Sequence, residues 1–418
     1  MGPDILLLIL AAAGLGTLVG TFTGLVPGIH VNTAASVMVA LHPAAVSFLG
    51  DEFGGLDSAV LISCCIMAAA TVHSFVDFVP SVFIGAPDPD EALSVLPGHL
   101  LVSQGKGMVA VRAAAIGSAV GAACAVALAV PLQWIMLHGG EDLIDPMTLG
   151  VLLVALGTVV LTSPGKIRTA AMLLLSGAVG CAVMDMGIPS HGLFGEGTLL
   201  FPMLAGLFGI PPLLEKSTQG LLPPQTDDVK DPVGILPGIR GVATGLVAGW
   251  FPGITATTGA TITAAFSEEK DPASFISLTG SIGTVTAIFS VVTLSVSGKG
   301  RSGTAISVGE MLGDGLQGFC SEPFVLILLS IALASAAGYA VTVRAGKMMI
   351  GIVDRIPAET LGNAVLVLVA ALVFVFTGPW GLAVLSVCSG IGMIPPNLGI
   401  GRVCLVGCII IPCVLNLV

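Results

Sequence analysis

Residues 16–41 read GTLVGTFTGLVPGIHVNTAASVMVAL, and residues 241–266 read GVATGLVAGWFPGITATTGATITAAF. Aligned without gaps, they agree at 9 of 26 positions, including Gly16/Gly241, Gly20/Gly245, Gly24/Gly249 and Pro27-Gly28-Ile29 against Pro252-Gly253-Ile254. Chance matches in a low-complexity chain do not usually include a shared Pro-Gly. After an indel, GAPDPDEALSVLPGHLLVSQG at 85–105 aligns with GKGRSGTAISVGEMLGDGLQG at 298–318. This second match pairs Gly85/Gly298, Ala92/Ala305, Ser94/Ser307, Val95/Val308, Gln104/Gln317 and Gly105/Gly318. The chain reads as a duplicated half.

Composition sets the medium in which the halves fold. Of 418 residues, 55% are hydrophobic and 9% charged, with a mean hydropathy of +1.04. Soluble proteins carry roughly 25% charged residues, so so few charges cannot cover a water-facing surface. The expected class is an all-α polytopic membrane protein, because helices satisfy their backbone groups internally and the pattern lacks a barrel's alternation. A net charge of -11 with 14 Lys and Arg excludes nucleic acid as a default partner. The nine cysteines form no CxxC pair and read as small apolar packing residues, so no metal is expected. The start, MGPDILLLILAAAGLG, lacks a basic leader and reads as a retained first membrane segment.

Apolar segments fall near 5–26, 28–48, 58–84, 109–137, 146–163, 167–187 and 193–210, then near 238–252, 254–267, 274–297, 323–343, 359–377, 379–396 and 403–418. The expected organisation is a first membrane repeat at 1–210, a polar Pro-rich cytoplasmic linker at 211–237 and a second repeat at 238–418. That gives about 10 spanning helices plus two Pro-Gly-broken re-entrant hairpins. The positive-inside rule places 12 of the 14 basic residues on the cytoplasmic side and both termini outside. Gln104 and Gln317 then land on opposite faces, the signature of an inverted-topology repeat.

Chemistry is expected where the two breaks fall. Proline removes a backbone donor and glycine frees the backbone, so Pro27-Gly28 and Pro252-Gly253 interrupt membrane helices. Interrupted segments at matching places in two halves point to a transporter's midplane site, where exposed helix N-termini attract anions. The polar groups past the breaks are His30, Asn32, Thr33 and Ser36 in one half, and Thr255, Thr257, Thr258 and Thr261 in the other. A Pro-kinked helix with hydroxyls bonded back to its own carbonyls is the alternative. The glycine ladders need no ligand; they let helices approach closely.

Lys299 and Arg301 are the two cations left off the cytoplasmic face, so they are expected to meet water, an acid or a bound anion. Asp88, Asp90 and Glu91 are the acids facing them in the repeat alignment. His73 and Asp77, four residues apart on one helix face, are candidates with Asp88 for Na⁺ or H⁺ coupling; a stabilising pair near the membrane surface is the alternative. Gly298-x-Gly300-x-x-Gly303 matches a dinucleotide fingerprint without a βαβ unit around it and is discarded.

At these residues the chain resembles the large permease subunit (TctA) of the tripartite tricarboxylate transporter family. The resemblance rests on GTFTGLVPGIHVNTAA and its echo GLVAGWFPGITATTGA, on Pro97-Gly98 with SQGKGMVAVRAAAIGSAVG, and on LLFPMLAGLFGIPPLLE. It covers most of the chain. It implies a secondary carrier whose motifs form re-entrant hairpins around the substrate, working with a small membrane subunit and an extracytoplasmic solute receptor. The shorter length, the acids Asp88, Asp90 and Glu91, and His30 after Pro-Gly-Ile mark a short, divergent branch.

The expected function is a secondary active permease of the cell membrane for a small organic anion, a carboxylate, driven by a Na⁺ or H⁺ gradient through alternating access. A homodimer is compatible with this. A channel or a membrane scaffold is the other reading. An intramembrane aspartyl protease built on Asp77, Asp185 and Asp314 lacks the Tyr-Asp partner motif, since the single tyrosine, Tyr339, precedes Ala340. No HExxH or GxSxG motif occurs, so no enzyme is expected.

Overall fold

The computed structural model describes residues 3–26, 30–49, 56–83, 95–185, 199–215, 223–226, 233–251, 271–353 and 358–418, with a few short stretches between them. Nearly all of these are helical. The helices are α1 (Pro3–Leu25), α2 (Val31–Leu49), α3 (Ser58–Val76), α4 (Phe78–Phe83), α5 (Val95–Ser103), α6 (Gly107–Ile135), α7 (Glu141–Ile144), α8 (Thr148–Thr162), α9 (Lys166–Asp185), α10 (Leu200–Leu204) and α11 (Ile210–Glu215). They continue as α12 (Leu236–Trp250), α13 (Pro272–Ser297), α14 (Gly303–Leu312), α15 (Glu322–Val353), α16 (Ala358–Gly392), α17 (Ile394–Asn397) and α18 (Gly407–Leu415). Two two-residue β-ladders, 52–53 with 56–57 and 191–192 with 195–196, close short turns.

Among the described residues, seven helical stretches are long and apolar enough to cross a membrane, and Thr148–Thr162, Leu200–Gly209 and Arg402–Leu415 are shorter apolar helices. The stretches at Ser58–Phe83 and Pro272–Ser297 are 83% buried, against 28% for α1 and 29% for 362–397. So α3 and α13 form the centre and the others present apolar faces outward. Each central helix is opened by an aspartate. Asp57 accepts the Ala59 N–H at 2.7 Å, and Asp271 accepts the Ser274 N–H at 2.9 Å, with Pro272 just inside the helix. Such caps contribute about 1 kcal/mol each.

Close packing runs through glycine. On α1, Gly16 lies against Cys65 and Ala68, Gly20 against Ala69 and Val72, and Gly24 against Val76 and His73. On α12, Gly241 lies against Leu278 and Ser281, Gly245 against Ile282 and Val285, and Gly249 against Phe289 and Thr286. A side chain at Gly16, Gly20, Gly241, Gly245 or Gly249 would collide with the neighbouring helix, and one at Gly24 would be tight against Val76.

The first and second parts of the chain interlock. Helix α6 packs on α13, where Gly117 lies against the Ser277 backbone and Ser118 Oγ donates to the Gly280 carbonyl at 3.1 Å. Helix α15 packs on α3, where Ser330 Oγ donates to the Cys64 carbonyl at 3.1 Å. Farther out, Gly407 meets Leu173 and Ser176 while Gly206 meets Leu385 and Cys388; Gly180 meets Cys408 while Gly392 meets Leu207.

One helix end differs from the hydropathy reading. Helix α15 continues past Arg344 and Lys347 to Val353, because long basic side chains at a helix end carry their charge outward without breaking the helix. At Gly378 (φ 69°, ψ -161°) and Pro379 the backbone leaves helical geometry, so α16 is two helical runs meeting at a kink, as the separate segments at 359–377 and 379–396 expected. The polar stretch at 211–237 is helical at its ends, since α11 runs to Glu215 and α12 starts at Leu236.

Candidate functional site

Three elements converge just past the first break. Helix α2 begins at Val31, so Asn32 lies in its first turn, where backbone N–H groups lack partners within the helix. The half-buried His30 supplies one, its Nδ1 accepting the Asn32 N–H at 3.1 Å. The Asn32 side chain reaches outward instead, and its carboxamide oxygen accepts the Thr304 N–H at 3.0 Å. Thr304 is in the first turn of α14, so a side chain from the first part of the chain caps a helix in the second. Gly303 permits the approach: a Cβ there would sit 2.6 Å from Asn32 Cγ.

The same helix start is capped from its own side. Ser302 Oγ accepts the Ala305 N–H at 3.1 Å and donates to Ser290 Oγ on α13 at 3.2 Å. Toward α1 and α3, the His30 and His73 rings lie 5.2 Å apart, centre to centre. His73 Nδ1 is 3.0 Å from Thr23 Oγ1, which donates to the Gly20 carbonyl at 3.2 Å. Either Thr23 or the imidazole can donate in this contact, according to the His73 tautomer. His73 and Asp77 are 5% and 6% exposed. The cluster joins an imidazole pair, a carboxylate one turn further on, a carboxamide and hydroxyls inside an otherwise apolar core. Ions held at such a place replace their hydration with these groups.

The candidates fall into three groups. His30, Asn32, Thr33 and His73 come together here with Asp77 one turn below His73, and Thr33 N–H donates to the His30 carbonyl at 3.0 Å. Ser36 is exposed and its hydroxyl donates back to the Asn32 carbonyl at 3.1 Å, as a kinked-helix reading expects. Pro27, Gly28, Pro252, Gly253, Thr255, Thr257, Thr258, Thr261, Asp88, Asp90 and Glu91 lie outside the described residues. Lys299 is exposed, and Arg301 is half-buried within electrostatic reach of Cys413 on α18. Among the described residues, no group of three or more His, Cys, Asp or Glu could hold a metal ion.

Thr23, Ser290, Ser302 and Thr304 belong to the cluster and were not singled out by sequence, and Gly303 was marked only within the discarded fingerprint. Ser302 carried a signal, a hydroxyl residue three positions before Ala305 at a helix start. Thr23 and Ser290 carried none, because their roles depend on which helix faces them.

The second matched motif ends in two similar turns. Gly105 follows α5 with φ +75°, and Gly318 follows α14 with φ +94°, both in the left-handed region that glycine reaches without cost. These turns lie far apart. The Gly105 turn abuts the first residue of α6, whereas the Gly318 turn bonds Gln133 near the end of α6, the Gln133 amide donating to the Gly318 carbonyl at 3.2 Å. At 1.5 Å per residue the 29-residue α6 is about 43 Å long, more than a hydrocarbon core of about 30 Å.

An uncharacterized protein of Methanocaldococcus jannaschii, MJ1079, is 28% identical over 305 residues, which cover 70% of each chain. No solved structure matches. The tripartite tricarboxylate transporter TctA family matches residues 10–407, almost the whole length. With its long apolar helices and this match, the chain is a multi-pass membrane protein that belongs to the tripartite tricarboxylate transporter TctA family, a family of transporter components.

Proposed function

We propose that this protein is a secondary active permease of the cell membrane that moves a small carboxylate through alternating access between two inverted repeats, driven by a Na⁺ or H⁺ gradient. One observation carries the reading: the matched turns at Gly105 and Gly318 stand at opposite ends of α6. A parallel duplication would put them at the same end.

The packing register supports it. The alignment that pairs Gly85 with Gly298 also pairs Cys65 with Leu278, Ala69 with Ile282 and Val76 with Phe289, and these are the residues that the two glycine ladders touch. The exchange of α6 onto α13 and α15 onto α3 is what a pseudo-two-fold axis produces. The substrate site is the cluster at His30, Asn32 and Thr33 together with its counterpart at Thr255, Thr257 and Thr258. His73 and Asp77 carry the coupling ion, and Lys299 and Arg301 supply positive potential to an anion.

Both termini lie outside, and residues 211–237 join the repeats at the cytoplasmic face. A small membrane subunit and an extracytoplasmic receptor are the partners this family normally uses. Uptake of labelled citrate and succinate into proteoliposomes, with Na⁺ and pH gradients imposed separately, tests the reading. Saturable uptake with counterflow supports a carrier. Flux linear in concentration and without counterflow assigns a channel instead.

A further inference from the structure

Each of the two matched turns is clamped by a buried glutamine. At the first, Gln225 is 9% exposed; its Oε1 accepts the Gly107 N–H at 3.0 Å and its Nε2 donates to the Val102 carbonyl at 2.9 Å. The adjacent Thr226 N–H donates to the Gly105 carbonyl at 3.1 Å. At the second, Gln133 is 0% exposed; its Oε1 accepts the Cys320 N–H at 3.1 Å, and its Nε2 donates to the Gly318 carbonyl and to Ser295 Oγ at 2.9 Å. The register that pairs Gly105 with Gly318 pairs Gly107 with Cys320, so the same backbone N–H is taken by a glutamine carboxamide in both halves.

The two glutamines have unrelated origins. Gln133 comes from the last turn of α6, a spanning helix. Gln225 comes from the polar stretch between the halves, which would read from its sequence as a free connector. Residues 223–226 instead lie across the α5–α6 turn so closely that a Cβ at Gly105 would sit 2.8 Å from the Pro224 carbonyl oxygen. Duplication cannot produce this similarity, because the clamping residues are not themselves matched. Cys320 adds a second mark: it is the one described non-glycine residue with positive φ, at 51°, and its N–H is the one Gln133 holds.

We infer that Gln225 and Gln133 are a pair of latches, one at each end of the bundle. Gln225 holds α5 shut against the connecting strap, and Gln133 holds the turn that follows α14 against the end of α6. The inference rests on the carrier reading, in which the two ends open in turn. Both latches are closed here, as in an occluded state. An amide hydrogen bond shifts an equilibrium by roughly three- to tenfold, so a latch of two such bonds biases an opening without freezing it. The connector thereby becomes a working part of one gate.

Hydrogen–deuterium exchange on the purified full-length protein tests this without a ligand. Gln225→Ala is expected to speed exchange roughly tenfold or more across the whole of α5, residues 95–103, and to leave α14 at its wild-type rate. Gln133→Ala is expected to do the reverse across residues 303–312. A faster rate confined to Gly107 or Cys320, or the same change at both ends in either variant, would show static caps and overturn the proposal. If the alanine variants do not fold, Gln225→Asn and Gln133→Asn, which keep the amide and shorten the arm, carry the same expectations. Failure of citrate and succinate transport would remove the carrier reading while these exchange patterns still report whether the clamps govern whole hairpins.

Discussion

The Asn32 carboxamide oxygen accepts the Thr304 N–H at 3.0 Å, joining residues 272 positions apart. The polar cluster is therefore a joint between the two parts of the chain as well as a candidate binding place. Asn32→Leu keeps the bulk and strands the Thr304 donor, which costs about 1–3 kcal/mol. It is expected to lower the melting temperature and to abolish citrate uptake. Asn32→Asp still accepts the bond, so it is expected to fold normally while weakening a bound carboxylate by on the order of tenfold through like-charge repulsion. Equal uptake by Asn32→Asp and wild type would remove Asn32 from the anion site.

The buried Asp77, at 6% exposure one turn beyond His73, carries the coupling role in the proposed function. Asp77→Asn keeps the shape and removes the charge. Exchange of labelled substrate across proteoliposomes at equal concentrations is expected to survive, while accumulation driven by Na⁺ or pH is lost. Undiminished accumulation would place the coupling ion elsewhere.

Gly20 and Gly245 stand at matched positions with the Val72 and Val285 side chains against them. Leucine at either position has to push two packed helices apart, an overpacking cost of about 1–3 kcal/mol or more. Both variants are expected to lose folded protein, seen as a collapse of the monodisperse peak on size exclusion. Gly157, inside α8, has no neighbour within 4 Å, so Gly157→Ala is expected to be neutral or to stabilise by up to about 1 kcal/mol. A well-folded Gly20→Leu would show that the α1–α3 contact is loose.

Gly105 and Gly318 share a left-handed backbone, but their surroundings differ. A Cβ at Gly318 meets open space, whereas one at Gly105 meets the Pro224 carbonyl at 2.8 Å. Gly318→Ala is expected to cost about 1 kcal/mol from backbone strain alone. Gly105→Ala is expected to cost more, because the strap has to shift as well. Thermal unfolding of the two variants side by side checks the order; a reversed order would place the strap away from the turn.

The sequence made the framework legible through repetition. The ladders at Gly16/Gly20/Gly24 and Gly241/Gly245/Gly249 marked helix contacts, and Pro-Gly followed by His30 and Asn32 marked where polar groups would gather. Matching Gln104 with Gln317 also drew attention to the Gly105 and Gly318 turns, which lie at opposite ends of α6. Partners across the fold left no such trace. Thr304 accepts no pattern from Asn32, and Gln225 sits in a Pro-rich run whose composition says connector, although 118 residues separate it from the N–H that it binds. Local chemistry records helix propensity and caps; a lone amide docking at long range has no period to read.

The crossed packing of α6 on α13 and of α15 on α3 bears on how the protein is made. Ribosomes deliver α6 to the bilayer long before Ser277 and Ser281 exist to meet Gly117 and Gly121. Lipid has to shield those grooves during the interval, because small-residue faces let membrane helices pack closely and stay open to a wrong partner until the right one arrives. Maturation is thus held back until the final third of the polypeptide has been inserted, and a product released early would be left with its central helices unsheathed and open to the cell's membrane proteases.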